Sequence, residues 1–365
     1  MTSRERLLTA INNKKPDRLP CQVHGWMQYY LDTYLGGMDQ FEAYRYFDMD
    51  AVIYITPEYI VDGKQLTNWQ TKFLDFGTTA DGNKRYGYDY TTPEGILKIR
   101  YEANQFTFWE TEHLVKTDKD MDLFLKYYPT HSKVDWTPVR EAKKKIGSSG
   151  IVRCHHQNFG QPGVWQSITM LLGTEAAILK AIDEPEFIHH AAQVITNKCL
   201  KGIEAMGKIE VDIMENGGGS ASSTVISPSM YEEFCLPYDK QIHTALRAGG
   251  TKTVYHLCGG HMPLLELVAQ NNADGIETLT PPGMGADCNM TEAAKRVGYK
   301  LFFIGGFDQN AGFENGTKKN IEEQVHALFK AKPNGGYICS PSDHFFTGDP
   351  ENIKYFVDVC KSCKY

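Results

Sequence analysis

From residue 150 onward, short apolar runs alternate with longer stretches in which apolar residues recur every three or four positions. The runs 151–155, 209–214, 251–258, 274–279, 300–306 and 336–340 have the length and β-branched or aromatic content of buried strands. Between them lie helical patterns such as 186–206, where Ile188, Ala192, Ile195, Cys199 and Ile203 share one face. Ser227-Pro228 marks a helix start, with a side-chain cap followed by a first-turn proline. Two earlier runs, 19–24 and 51–56, fit the strand pattern as well. Eight strands, most of them followed by a helix, predict a (β/α)8 TIM barrel, although a doubly wound sheet produces the same alternation.

Two segments fall outside that alternation. Residues 3–13 read as an N-terminal helix, with Thr2 and Glu5 spaced as a capping box. Residues 62–150 read as one long insertion. Its middle, 86–109, is rich in Tyr, Thr and Phe and turns at Thr92-Pro93-Glu94-Gly95, so it predicts a β-hairpin. No repeat, low-complexity tract or linker divides the chain, so residues 1–365 are expected to form one domain, with the insertion over the C-terminal face of the barrel.

Composition mainly excludes. With 365 residues and 41% apolar content the chain can bury a large core. A net charge of −7 argues against a nucleic-acid partner. The sequence has no run of 18 apolar residues, and its start, MTSRERLLTAINN, has no apolar signal core, so no membrane association is expected. Nine scattered cysteines suit a reducing cytoplasm better than a disulfide framework.

In a barrel the strand ends build the active site, and here they carry ligand-type residues. His256 and Cys258 close the run 251–258 two residues apart, hence on one face. A neutral imidazole beside a thiolate offers two zinc ligands, and Cys339, ending the run 336–340, is the third candidate. Three protein ligands leave a position open, as in a catalytic zinc site. Other strand ends contribute His24, Trp26, His155, His156, Asn158, Glu215, Asn216, Glu277 and Asp308. Each has a plainer alternative. A buried cysteine is more often packing than ligand. Glu215 and Glu277 could pair with helix termini, and His155-His156 could be one core and one surface residue. Gly217-Gly218-Gly219 lacks the Lys and Ser/Thr of a phosphate loop and reads as a close-approach loop.

The sequence resembles the uroporphyrinogen decarboxylase superfamily. The resemblance is carried by Arg4-Glu5-Arg6-Leu7, Lys15-Pro16-Asp17-Arg18-Leu19-Pro20, Ser227-Pro228, Glu233-Phe234-Cys235-Leu236-Pro237-Tyr238, His256-Leu257-Cys258-Gly259 and Ile304-Gly305-Gly306-Phe307-Asp308. It implies a (β/α)8 barrel and one of two activities. One is cofactor-free decarboxylation of a porphyrinogen; the other is zinc-dependent methyl transfer between a corrinoid and a small thiol or methoxylated substrate. The methyltransferase branch carries His-x-Cys with a distant Cys, which points to His256, Cys258 and Cys339 as the metal ligands here. The decarboxylase branch carries arginines after the first strand, whereas residues 19–44 of this chain contain neither Arg nor Lys.

The methyltransferase branch is therefore the expectation, with the decarboxylase as the alternative. It implies Zn2+, a corrinoid carried by a separate corrinoid protein, and a small-molecule methyl donor or acceptor; a second copy of the chain is a further candidate partner. Within it Glu215, Glu277 and Asp308 are expected to orient substrate or move a proton. His24, Trp26, His156, Asn158 and Asn216 are expected to bind substrate.

Overall fold

The computed structural model describes residues 1–156 and 159–365. Its centre is a curled parallel sheet of seven strands, joined in chain order. They are β1 (Ala51–Tyr54), β2 (Gly150–His155), β3 (Ile213–Gly217), β4 (Lys252–His256), β5 (Gly275–Thr278), β6 (Phe302–Phe307) and β7 (Tyr337–Pro341). Six of the eight runs seen in the sequence become strands at nearly the expected residues. The run 209–214 is displaced: Ile209 and Val211 pack on the approach, and the strand proper starts at Ile213.

The eighth predicted strand, 19–24, joins β7 through a single parallel bridge, Cys21 with Cys339. Pro20 lends only its carbonyl, to the Cys339 amide at 2.9 Å, and Gln22 donates to Cys339 O at 3.0 Å. A proline has no N–H to extend a ladder. Among the described residues no ladder links this run to β1, so the half-barrel is not closed by hydrogen bonding into eight strands. The side chain of Asp50, just before β1, spans the gap. It accepts from the Cys21 amide (3.1 Å), from Arg18 (2.9 and 3.1 Å) and from Arg6 (2.7 Å).

Strand alternation sorts the side chains into two layers. Val52, Ile151, Ile213, Val254, Ile304 and Ile338 point inward and meet Leu7, Ala10 and Ile11. These last come from the N-terminal helix Ser3–Ile11, whose expected Thr2/Glu5 capping box is present; the helix plugs the floor. The intervening residues face the surrounding helices, including Pro185–Met206 and Pro228–Phe234, the latter capped by Ser227 as expected.

The insertion holds more than a hairpin. Lys84–Thr92 and Gly95–Ala103 do turn at the expected Pro93-Glu94, but Gln70–Thr78 and Phe108–Glu112 flank them in a four-stranded antiparallel sheet. The aromatic-rich alternation of this segment supports every strand of that sheet. From its far turn, Phe106 packs edge-on against Tyr29 and Phe346, two residues that follow the 19–24 run and β7.

Candidate active site

One pleat above the inward aliphatic layer, the same strands present Tyr54, Arg153, Glu215, His256 and Glu277. Each sits two residues beyond an inward apolar position or pairs in register with one. Tyr54, Glu215 and His256 line a cavity of about 860 Å³, together with His24, Trp26, Tyr44, His155, Cys258 and His344, while Arg153 and Glu277 lie buried behind them.

The polar groups form one connected cluster. Arg153, fully buried, donates to both oxygens of Glu277 (2.8 and 2.7 Å) and to Glu215 (2.6 Å), beneath the ring of Tyr54. The Tyr54 hydroxyl donates to the same Glu215 oxygen at 3.1 Å. Burial works against charge on Glu277, but Arg153 and His256 hold its carboxyl well below the usual carboxylate range. An ionised carboxylate only accepts, so His256 Nδ1, 3.0 Å away, carries the proton. This leaves His256 Nε2 facing Cys258 Sγ at 2.9 Å. Burial opposes protonation of His256 as well; Cys258, Glu277 and Glu215 outweigh it and raise its pKa well above the ordinary value.

The charge count of this cluster is informative. Once a metal displaces the Nε2 proton of His256, Arg153 against two carboxylates leaves −1, and a Cys258 thiolate makes −2. A divalent cation at His256 Nε2 and Cys258 Sγ would neutralise that sum, with Glu277 fixing the imidazole from behind. His24, Glu277 and His256 also lie within 4.8 Å of one another. The oxygens of Glu277 are already taken by Arg153 and His256, so Glu277 suits orientation of the imidazole better than ligation. The donor set present therefore suits zinc.

The sequence-predicted residues divide clearly. His24, Trp26, Glu215, His256 and Cys258 line the cavity, and Glu277 stands directly behind His256. Cys339 does not join them. On β7 its side chain points outward, opposite to inward Ile338, and it is fully buried near Cys21, Cys360 and Tyr337. Among the described residues no metal-type grouping contains Cys339.

His156 and Asn216 also face outward. His156 Nε2 meets Asn216 Oδ1 at 3.0 Å, and Asn216 donates to Asp239 at 3.0 Å, so both serve a buried network against the helix Leu236–Ala248. Asp308 accepts from the Ala311 amide at 3.0 Å and caps a local turn away from the cavity. Asn158 lies outside the described residues. Tyr54 and His344 are cavity residues not singled out from the sequence. Tyr54 follows from the alternation that places Val52 inward.

A polar cluster at the C-terminal ends of a curled parallel sheet, above a sealed floor, defines an α/β enzyme with a TIM-barrel-like scaffold. The model of the uroporphyrinogen decarboxylase (URO-D) family matches residues 162–363, and the chain belongs to that family. It is 29% identical over 219 residues to uroporphyrinogen decarboxylase of Neisseria gonorrhoeae, covering 58% of this chain and 56% of that one. To the chloroplastic uroporphyrinogen decarboxylase 2 of Oryza sativa subsp. japonica it is 26% identical over 194 residues, 51% and 45% of the two chains. The match thus spans about half the length of these curated relatives. Among solved structures, a methyltransferase from Methanosarcina mazei shares the fold over 99% of both chains, with a TM-score of 0.67 at 14% identity.

Proposed function

We propose that this protein is a zinc-dependent methyltransferase. It would move a methyl group between a corrinoid, delivered by a separate corrinoid protein, and a small thiol or methoxylated substrate. The observation that carries this reading is the His256–Cys258 contact, backed by Glu277, in a cavity without a cationic wall. Bound at that pair, zinc would lower the pKa of a substrate thiol or hydroxyl, or polarise an ether oxygen. The chain's own residues do the rest. Glu277 holds His256 in the tautomer that presents Nε2. Arg153 fixes Glu277 and Glu215, and Glu215 offers its remaining oxygen to a substrate proton. Trp26, Phe41 and Tyr44 give the cavity an apolar side suited to excluding water from a small organic group.

The decarboxylase alternative is supported by the names of the sequence relatives, and the cavity argues against it. None of the described lining residues is Lys or Arg, while Asp39, Glu215 and Asp343 are acidic. Arg153 is already engaged by two carboxylates, and Arg85 and Arg100 sit on the insertion sheet. A polycarboxylate would enter without counter-charges, at a large desolvation cost.

The test is to assay the purified protein, with and without chelator, against methoxyarenes and thiols in the presence of cob(I)alamin or methylcobalamin. The absorbance change between methyl-Co(III) and Co(I) forms gives the readout. Zinc-dependent spectral turnover, lost in Cys258→Ala, is expected. Turnover of uroporphyrinogen by chelated protein, with no cobalamin change on any substrate, would overturn the proposal.

A further inference from the structure

The His256–Cys258 pair supplies two ligands, and a catalytic zinc needs a third from the protein. Cys339 is unsuited by direction, since its side chain lies on the far side of the sheet from the cavity. The cavity itself offers another donor. His24 ends the 19–24 run, is only 5% exposed and lines the cavity. Its ring centre is 5.2 Å from that of His256, and donor atoms of the two rings lie within 4.8 Å. Among the described residues no hydrogen bond ties down either ring nitrogen of His24. The ring nitrogens of His24 are thus left free to bind a ligand in the cavity, beside an oriented metal-type pair. The ring of His344 packs edge-on against His24 at 4.9 Å and steadies it from the other side.

Resting on the zinc reading above, we infer that His24 is the third metal ligand, giving a two-histidine, one-cysteine site drawn from the first run and β4. Cys258 lies two residues past the end of β4, so its side chain can withdraw from its 2.9 Å contact with His256 to admit the ion.

The chemical consequence concerns charge. Two imidazoles and one thiolate leave zinc with a net +1, one unit more positive than two thiolates and one imidazole would. A more positive centre binds and polarises a neutral oxygen, such as a methyl ether or hydroxyl, more strongly. It leaves a bound sulfur a weaker nucleophile. The site therefore fits withdrawal of a methyl group from an oxygen-bound donor better than methylation of a thiol.

The experiment replaces zinc with cobalt(II) in the full-length protein and reads the sulfur-to-cobalt charge-transfer band, together with metal stoichiometry and the sulfur-to-nitrogen ratio by X-ray absorption. One sulfur per metal is expected. Cys339→Ala should keep full occupancy and an unchanged band. His24→Ala should lower metal affinity at least tenfold, and His24→Cys should recover the metal with a roughly doubled band. Circular dichroism of each variant in chelator separates loss of a ligand from loss of fold. Loss of metal in folded Cys339→Ala, with full binding in His24→Ala, would overturn this ligand assignment and leave the zinc reading standing. No stoichiometric metal in the wild type, and no change in Cys258→Ala, would overturn both.

Discussion

The Arg153–Glu277 pair gives the sharpest test of how the site is built. Glu277→Gln keeps the side-chain shape but removes the charge that faces both the guanidinium and His256. Arg153 is then left fully buried with Glu215 alone, and breaking a buried ion pair from one side costs about 3–5 kcal/mol. At about 2.1 cal/mol/K of unfolding entropy per residue, a 365-residue chain gains roughly 0.8 kcal/mol/K, so the unfolding midpoint should fall by about 4–7 °C. Arg153→Met should be comparably damaging, because it strands two carboxylates. The double variant should cost clearly less than the two together, since only Glu215 is then left without its partner. Thermal melts of the four proteins measure this coupling. Additivity within about 0.5 kcal/mol would refute the claim that the two groups stabilise each other. Zinc affinity offers a parallel readout. Glu277→Gln should weaken it about 10- to 100-fold through loss of imidazole orientation, while Glu277→Asp should retain part of it.

Three further outcomes are expected. Burial pushes the Asp239 carboxyl up to about 6 from its ordinary 3.8, so the folded chain holds a proton that the unfolded chain has released across that interval. Stability should therefore fall as pH rises from about 4 to about 6 and stay level above. Asp239→Asn should remove a slope of about 3 kcal/mol, checked by denaturant titration of both proteins across that range. Ser227→Ala deletes the cap on the Met230 amide and should cost about 1 kcal/mol by the same titration, with cavity properties unchanged. Gly217→Ala should destabilise and reduce metal uptake. Gly217 has φ +116°, and an added Cβ would sit 2.3 Å from the carbonyl oxygen of His256, displacing the strand that carries the ligand. Normal metal uptake by that variant would show that the strand is not what positions His256.

Much of this is legible in the sequence alone. Apolar runs located six strands closely, because strands buried on both faces must be apolar whatever their neighbours. His256 and Cys258 stood out because their spacing alone puts them together. What failed was the choice of face. Ile338 and Cys339 are both buried, and composition does not say which of them looks into the barrel. Only the register against Gly305 on β6, together with packing of the C-terminal helix Pro350–Ser362, settles it. The same ambiguity misplaced His156 and Asn216, whose neighbours His155 and Glu215 hold the inward positions. Arg153 was harder to place. A lone arginine in an apolar run gives no sign that it pairs with carboxylates 62 and 124 residues away. Asp308 looked catalytic because it ends a strand, yet its carboxylate is spent on the next turn.

The clasp at Asp50 has a mechanical consequence. The strands of the half-barrel are joined by backbone ladders, in which several bonds must yield together before neighbours slide apart. Between the 19–24 run and β1 the load passes instead through one carboxylate and the arginine side chains that grip it, each able to give by tenths of an ångström independently. The stretch carrying Trp26, Met38, Phe41 and Tyr44 spans that joint and forms one wall of the cavity. Deformation that widens the mouth therefore concentrates there. That wall is held by side-chain contacts, among them the stack of Trp26 on Phe47, whereas the strands bearing His256 and Glu277 are held by backbone ladders.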